Sequence, residues 1–459
     1  MKDLFPLFEQ RMRHEELPEI MIRTFRFYYE QLREGRTGLI PENTVRPVES
    51  LPDAEQLPPS MAQSGKKALS RAVLIKLNGG LGTSMGLEKA KSLLIIKNSL
   101  CFLDIIAKQA LLVGIPLVLM NSFSTRKDSL ALLARYPALS GKIPLDFLQH
   151  KAPKVAQTDL SPVSWPRDPA LEWYPPGHGD IYTALLTSGM LDALLKTDRE
   201  YAFISNADNL GAIMDLPILG YFAEKNLPFM MEAADRTEAD RKGGHLAVTP
   251  DGSFLLRESA QCPESDMGAF QDVSRHRYFN TNSLWVNLQA LKKLMVEREN
   301  ILGLPMIRNA KTVDPRDPAS PAVYQIETAM GSAIGVFRGA SALRVPRARF
   351  APVKTTSDLL AVRSDNYDLT GDFQVRLNPL RKGRPTVVSL DKHYKFVDQM
   401  ESRFPGGAPS LIQCDKFTVK GDFIFGSRIT CRGETEMVNL SDKQRRVPDD
   451  ALLSGKKEL

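Results

Sequence analysis

With 459 residues, a net charge of +6 and a pI near 8.9, the chain has room for about three domains and the composition of an ordinary globular protein. The mild basic excess suits an anionic small substrate, and the absence of a dense basic stripe argues against nucleic acid as a partner. Four scattered cysteines without a C-x-x-C pair, and six histidines without ligand spacing, argue against a zinc site and fit reduced thiols in a cytoplasmic protein.

In chain order, residues 5 to 34 carry helical spacing (Phe5, Phe8, Met12, then Ile20, Met21, Phe25, Tyr28, Leu32). Arg11, Arg13, Glu15 and Glu16 interrupt any signal-peptide core, and the longest apolar run, 110 to 120, is too short to cross a bilayer. No membrane partner is therefore expected. Pro41, Pro47, Pro52, Pro58 and Pro59 then deny regular structure, so residues 1–70 read as a helical arm plus a strap. From residue 71 onward short apolar runs alternate with helical patterns, as a largely parallel α/β sheet requires. Strands are expected at 73–77, 115–120, 144–148, 201–205 and 228–233. Helices are expected at 100–112 and 181–196, the second capped by Asp180. After residue 385 the texture changes: Phe417, Val419, Phe423, Phe425, Ile429 and Cys431 alternate with polar residues between glycines, which is short-strand texture. Beyond Asp442 the chain turns polar and is expected to fray. The boundaries expected are thus 1–70, 71–385 and 386–459. The closing Lys456-Lys457-Glu458-Leu459 resembles a retention tail, which carries no weight without a secretory signal.

The most informative stretch is LIKLNGGLGTSMGLEKAKSLL, residues 74 to 94. An apolar strand runs into Asn78-Gly79-Gly80-Leu81-Gly82 at its carboxyl end, where open α/β sheets bind ligands. Glycines let backbone N–H groups approach an anion, and Lys91 adds a positive charge just beyond. Gly80, Gly82 and Gly86 give G-x-G-x-x-x-G, one residue too long for the dinucleotide fingerprint, and no P-loop can be drawn. That spacing disfavours a nicotinamide dehydrogenase. Taken alone, the loop also fits a tight strand-to-helix turn without a ligand.

The stretch resembles the nucleotide-binding loop of the eukaryotic-type UTP–glucose-1-phosphate uridylyltransferases, or UDP-glucose pyrophosphorylases. FLQHKAPKV, WYPPGHGDIY, FISNADNLGA, FNTNSLWVN, QIETAMGSAIGVF and RFAPVKTTSDLL resemble the same family in order. The resemblance implies a Rossmann-like mixed, mostly parallel sheet flanked by helices, of nucleotide-diphospho-sugar transferase type, ending in a short left-handed β-helix. It implies nucleotidyl transfer between UTP and glucose-1-phosphate, giving UDP-glucose and pyrophosphate, with magnesium (Mg2+) as cofactor. Both substrates are anions, so the difficulty is repulsion and alignment, and no side-chain nucleophile is needed. A different sugar-1-phosphate (galactose or N-acetylglucosamine) and a non-catalytic nucleotide-sugar sensor are the alternatives. The number of subunits is left open.

Residue by residue, the resemblance assigns Lys91 and Lys354 as the phosphate-contacting, catalytic pair. Where many relatives carry Gly-Pro before the first lysine, this chain has Lys89-Ala90, and Lys89 competes for the role. Leu77, Asn78, Gly79, Gly80, Gln149, Gly177, His178 and Asp208 fall to the nucleotide. A glutamine amide offers the uracil edge both a donor and an acceptor. Asp208, ending an apolar strand, suits magnesium, which needs few protein ligands, though an Asx-turn is the plain alternative. Asn206, Gly244, Glu258, Asn280 and Asn282 fall to the sugar. The last two occupy alternate strand positions and so project to one face. His178 is expected to be a contact rather than a general base.

Overall fold

A computed structural model describes residues 3–458. Its centre is a ten-stranded sheet whose first half is parallel, in the spatial order Asp146–Leu148, Leu117–Asn121, Ala72–Asn78, Tyr201–Asn206. The five strands expected in this region are all present, four in this half and Phe229–Asp235 in the other. Continuous apolar runs such as Ala72-Val73-Leu74-Ile75 form strands buried on both faces, as helix-covered parallel strands must be. The other half departs from the mostly parallel expectation. Tyr278–Asn287 runs antiparallel to both Tyr201–Asn206 and Phe229–Asp235, and His245–Val248 and Phe254–Arg257 form an antiparallel extension. The sheet is therefore mixed. A hairpin-like return needs no crossover helix, so alternation of apolar runs does not reveal it.

Several local elements differ from expectation. The N-terminal arm is two helices, Phe5–His14 and Glu19–Arg33, turned at Glu16, whose φ is +55°. The proline strap holds 3-10 turns and a two-residue strand, Arg46–Pro47, on the sheet edge. Gly189 at φ +74° splits the expected 181–196 helix into Ile181–Thr187 and Met190–Lys196. The polar tail does not fray. Leu452–Glu458 pairs in parallel with Thr430–Val438, because ladder bonds use backbone and ask nothing of the side chains. Lys456 and Lys457 on this outer strand discourage further pairing. Leu459, the last residue of the closing tail, lies outside the described residues.

The C-terminal strands Val387–Leu390, Ser410–Lys420, Thr430–Val438 and Leu452–Glu458 form one parallel sheet, and Phe423–Phe425 pairs in parallel with Arg445–Val447. Phe417, Phe423, Phe425 and Cys431 are buried among these strands. The same apolar cluster takes in Val353 and Leu359, so the strands brace the segment around Lys354.

Helices Ser60–Ala68 and Leu216–Glu224 cross at two glycines. A Cβ on Gly220 would run into the carbonyl of Met61, and one on Gly65 into that of Leu216. Alanine normally gains about 1 kcal/mol over glycine inside a helix. Here overpacking against backbone reverses the sign, and Gly220→Ala should destabilise by about 1–3 kcal/mol. Urea unfolding measures it, and a midpoint at or above the parent's contradicts the close crossing.

Candidate active site

Strand Ala72–Asn78 delivers the glycine loop at its carboxyl end. Gly82 and Gly86 take left-handed backbone, φ +71° and +75°, and the Lys91 N–H donates to the Gly80 carbonyl at 3.1 Å, closing the loop on itself. Gly79 has a different reason to be glycine: a Cβ there would sit 2.6 Å from Oε1 of Gln149. The glutamine amide thus lies directly against the loop. Its backbone is fixed twice over. The Gln149 N–H donates to the Asn121 carbonyl at 2.8 Å, and Asp180 accepts from the His150 N–H at 2.7 Å while contacting His150 Nδ1 at 2.8 Å. Asp180 therefore does not cap its helix as expected. Its carboxylate turns to the His150 peptide, a partner 30 residues away that local spacing cannot show. The Asn78 side-chain nitrogen donates to Asn121 Oδ1 at 2.7 Å and to Ser129 Oγ at 2.8 Å within the sheet.

Leu77, Asn78, Gly79, Gly80, Lys91, Gln149, Gly177, His178, Asn206, Asp208 and Lys354 border one open cleft of about 340 Å³. All of these were expected in the nucleotide, catalytic or sugar sets. Lys89 is exposed and does not border the cleft, whereas Lys91 does. Lys91 Nζ donates to Asp208 Oδ2 at 2.6 Å, and Lys354 Nζ to the same oxygen at 3.3 Å. Lys91 is largely buried while the Lys354 side chain is 55% exposed, so the second ammonium is the freer to move onto a ligand. Asp208 Oδ1 is buried without a hydrogen-bond partner. An acceptor left bare beside two ammonium groups fits a divalent cation that takes its other ligands from phosphate. Among the described residues no cluster of three or more protein ligands exists, so such an ion would depend on substrate oxygens.

A buried polar layer holds the two halves of this constellation in register. Asn209 accepts from the Ala351 N–H at 2.9 Å and donates to the Arg349 carbonyl at 3.1 Å, while the Val353 N–H donates to the Asp208 carbonyl at 3.2 Å. Arg349 forms a two-pronged pair with Glu232, both contacts 2.7 Å, and Trp285 Nε1 donates to the same carboxylate at 2.9 Å. Lys76, fully buried, donates to Ser205 Oγ and the Ala212 carbonyl, each at 2.7 Å. Burial, and then nearby Arg349, push its ammonium pKa down to about 7. None of Lys76, Asn209, Glu232 or Arg349 was singled out from sequence. A lysine inside the apolar run Val73–Leu77 was the one available signal.

On the cleft's other wall, Thr355 caps helix Thr356–Arg363 with Asp358 in a reciprocal box, placing Lys354 just before the helix. Gly177, at φ +81°, sits so close to Thr328 that a Cβ would lie 2.5 Å from its carbonyl oxygen. His178 Nδ1 accepts from the Met330 N–H at 2.9 Å, which fixes the neutral ring with its proton on Nε2. Burial and the Lys354 charge hold its pKa down at about 4. At neutral pH the ring is uncharged, and with Nδ1 taken by the Met330 N–H, its Nε2–H is left to donate.

Gly244, Glu258, Asn280 and Asn282 come together as a second group that does not border the cleft of the first. The Asn280 N–H donates to the Gly244 carbonyl at 3.1 Å, and Gly244 lies against the Glu258 carboxylate, leaving no room for a Cβ. Asn280 Nδ2 donates to Asn282 Oδ1 at 2.8 Å, so the two do share a face. They do so through a bulge, with Asn282 at φ +55°, rather than by plain strand alternation. Burial without a cationic partner pushes the Glu258 carboxyl up to about 7. The turn Met330–Gly335 links the groups: Met330 holds His178, and Gly331 packs on Asn280.

The family model for UTP--glucose-1-phosphate uridylyltransferase matches residues 22–432. Enzymes of that name from Solanum tuberosum and Saccharomyces cerevisiae are 40% and 41% identical to this chain over 399 and 392 residues, covering 85% and 84% of it and 82% and 77% of their own lengths. Among solved structures, UDP-glucose pyrophosphorylase from Leishmania major superimposes with a TM-score of 0.92 at 42% identity, covering 100% of both chains. A point mutant of that enzyme in complex with UDP-glucose matches equally well, with a TM-score of 0.92 at 42% identity over 100% of both chains. UDP-glucose phosphorylase from Trypanosoma brucei gives 0.87 at 43%, covering 98% of this chain and 99% of that one. With the loop, the paired lysines and this full-length match together, the chain belongs to the UTP--glucose-1-phosphate uridylyltransferase family.

Proposed function

We propose that this protein is a UTP:glucose-1-phosphate uridylyltransferase, joining glucose-1-phosphate to the uridylyl group of UTP and running reversibly. The observation that carries the reading is the meeting of Lys91 and Lys354 on one oxygen of Asp208 at the mouth of the glycine loop. In the reaction a phosphate oxygen of glucose-1-phosphate attacks the α-phosphorus of UTP. One P–O bond forms, the bond to the β-phosphate breaks, and pyrophosphate leaves with its electron pair. Two anions must approach, so the enzyme's task is to cancel repulsion and hold an in-line geometry. In the free protein Asp208 keeps both ammonium groups in place, and incoming phosphates compete for them. Lys91 would hold the triphosphate from the loop side, and Lys354, the more mobile, would follow charge as it builds on the transferring phosphate. Asp208 would hold the divalent ion, magnesium, which supplies further charge neutralisation at the phosphates.

The remaining roles follow the same logic. Gln149 reads uracil against the Leu77–Gly80 backbone, with Gly177 and the Nε2–H of His178 beside it. Asn206, Gly244, Glu258, Asn280 and Asn282 bind sugar hydroxyls. The three-part organisation, 1–70, 71–385 and 386–459, remains a reading of the sequence, since the N-terminal helices and the C-terminal strands each share their apolar cluster with the middle part. Parallel coils stacked strand on strand support a left-handed β-helix as the reading of the last part. Four free, buried cysteines are in keeping with a cytoplasmic location, and no described helix is long and apolar enough to cross a membrane.

Purified protein supplied with UTP, magnesium and a panel of sugar-1-phosphates should release pyrophosphate fastest with glucose-1-phosphate, and a chelator should abolish release. No release with glucose-1-phosphate removes the reading. Lys354→Ala should lower kcat at least about a hundredfold, the scale for one oriented charge. Activity within a few-fold of the parent denies the role.

Glu258 gives a pH-dependent expectation. Between about pH 4.5 and 7 the folded protein holds a proton that the unfolded chain releases, so this residue's contribution to stability is lost as pH rises through 7. Glu258→Gln should therefore melt no lower than the parent at pH 8, with its advantage shrinking by pH 5, while the KM for glucose-1-phosphate rises about tenfold or more through loss of a charged acceptor. Thermal melts at the two pH values and steady-state rates read this, and a variant less stable than the parent at pH 8 contradicts it.

A further inference from the structure

Next to Lys91 the chain places a hydroxyl with nothing to bond. Ser92 is 2% exposed, borders the nucleotide cleft, and its Oγ has no hydrogen-bond partner. It stands in the short turn Lys91–Leu93, fixed by the Lys91 N–H bond to Gly80 and the Leu93 N–H bond to Ala90. Buried hydroxyls are nearly always paired, since desolvation without a partner costs free energy that a methyl group in the same place would not. Alanine should fold as well here, because the free protein makes no hydrogen bond to this hydroxyl. The other orphan in this cleft, Asp208 Oδ1, is an acceptor, already assigned to the divalent ion. Ser92 Oγ, unlike it, carries a proton to donate.

We infer that the Ser92 hydroxyl donates a hydrogen bond to a phosphate oxygen of the bound nucleoside triphosphate, making it a binding residue alongside Lys91. This rests on the uridylyltransferase reading above and adds a contact to it. The chemistry of the surroundings selects the ligand atom. The glycine loop and Lys91 on the same wall favour an anionic oxygen, and Ser92 requires an acceptor. A phosphate oxygen meets both conditions with full charge, whereas an uncharged sugar hydroxyl gains only an ordinary hydrogen bond from the ammonium group. In the free protein the hydroxyl is closed to water-sized contacts, so the bond forms as the Lys91–Leu93 turn shifts onto the entering phosphate.

The test uses the full chain with Ser92→Ala and with Ser92→Cys, which keeps nearly the same volume but donates weakly. Without ligand, both variants should melt at or above the parent, because no bond is lost. With saturating UTP, the parent's rise in Tm should shrink in both. KM for UTP, and for pyrophosphate in the reverse direction, should rise about ten- to a hundredfold, the range for a hydrogen bond to a charged group. KM for glucose-1-phosphate should stay within about twofold. A lowered melt without ligand and an unchanged KM for UTP would make Ser92 a structural hydroxyl and overturn the inference. An unchanged melt and an unchanged KM would overturn it as well. Absence of turnover in the parent would instead remove the uridylyltransferase reading, while UTP-induced melting shifts would still report on Ser92.

Discussion

The Asp208 carboxylate draws together two ammonium groups, from residues 91 and 354, which would repel each other without it, and the rest of the cleft is arranged around that meeting. The same arrangement defines the chemistry. Groups that tolerate one another only because an anion lies between them are ready to accept a different anion in its place. Phosphates of an incoming substrate match that charge pattern.

Holding that meeting point is a matter of rigid support rather than of the three residues themselves. Asn209 stitches the Asp208 loop to residues 349 to 353, and the Arg349–Glu232 pair sits beneath the seam. A two-pronged buried pair contributes modestly to stability once desolvation is counted, but each partner alone would be a heavy liability. Its value here is geometric. Lys76 in the same layer is bound at both Ser205 and Ala212, on either side of Asp208 in the chain, and so limits how far that carboxylate can drift. The C-terminal parallel strands add a second brace through Val353 and Leu359.

The turn Met330–Gly335 couples the glycine-loop cleft to the second polar group. It touches His178 on one side and Asn280 on the other, so a single short segment fixes the distance between them. Gly331 must lack a side chain for Asn280 to pack there. The segment was visible in the sequence as QIETAMGSAIGVF, a stretch similar to the family, yet no residue in it carried an obvious chemical role. Its work is backbone spacing, which composition does not display.

Some features needed no tertiary structure. The apolar run ending in Asn78-Gly79-Gly80, the lysine just beyond it, and the strand that closes on Asp208 are local patterns, and local sterics determine them. From sequence, Gly79 and Gly244 were read only as contacts for the nucleotide and the sugar, whereas folding sets the Gln149 amide and the Glu258 carboxylate against them. Other features were decided only by folding. Asp180 left its expected cap for His150, the polar tail joined a ladder through backbone bonds, and Tyr278–Asn287 turned half the sheet antiparallel. The convergence of residues 91, 208 and 354, and the stranded hydroxyl of Ser92, belong to the same class. Each depends on contacts between segments distant in the chain, and the periodicities that encode helices and strands carry no information about which distant segment will arrive.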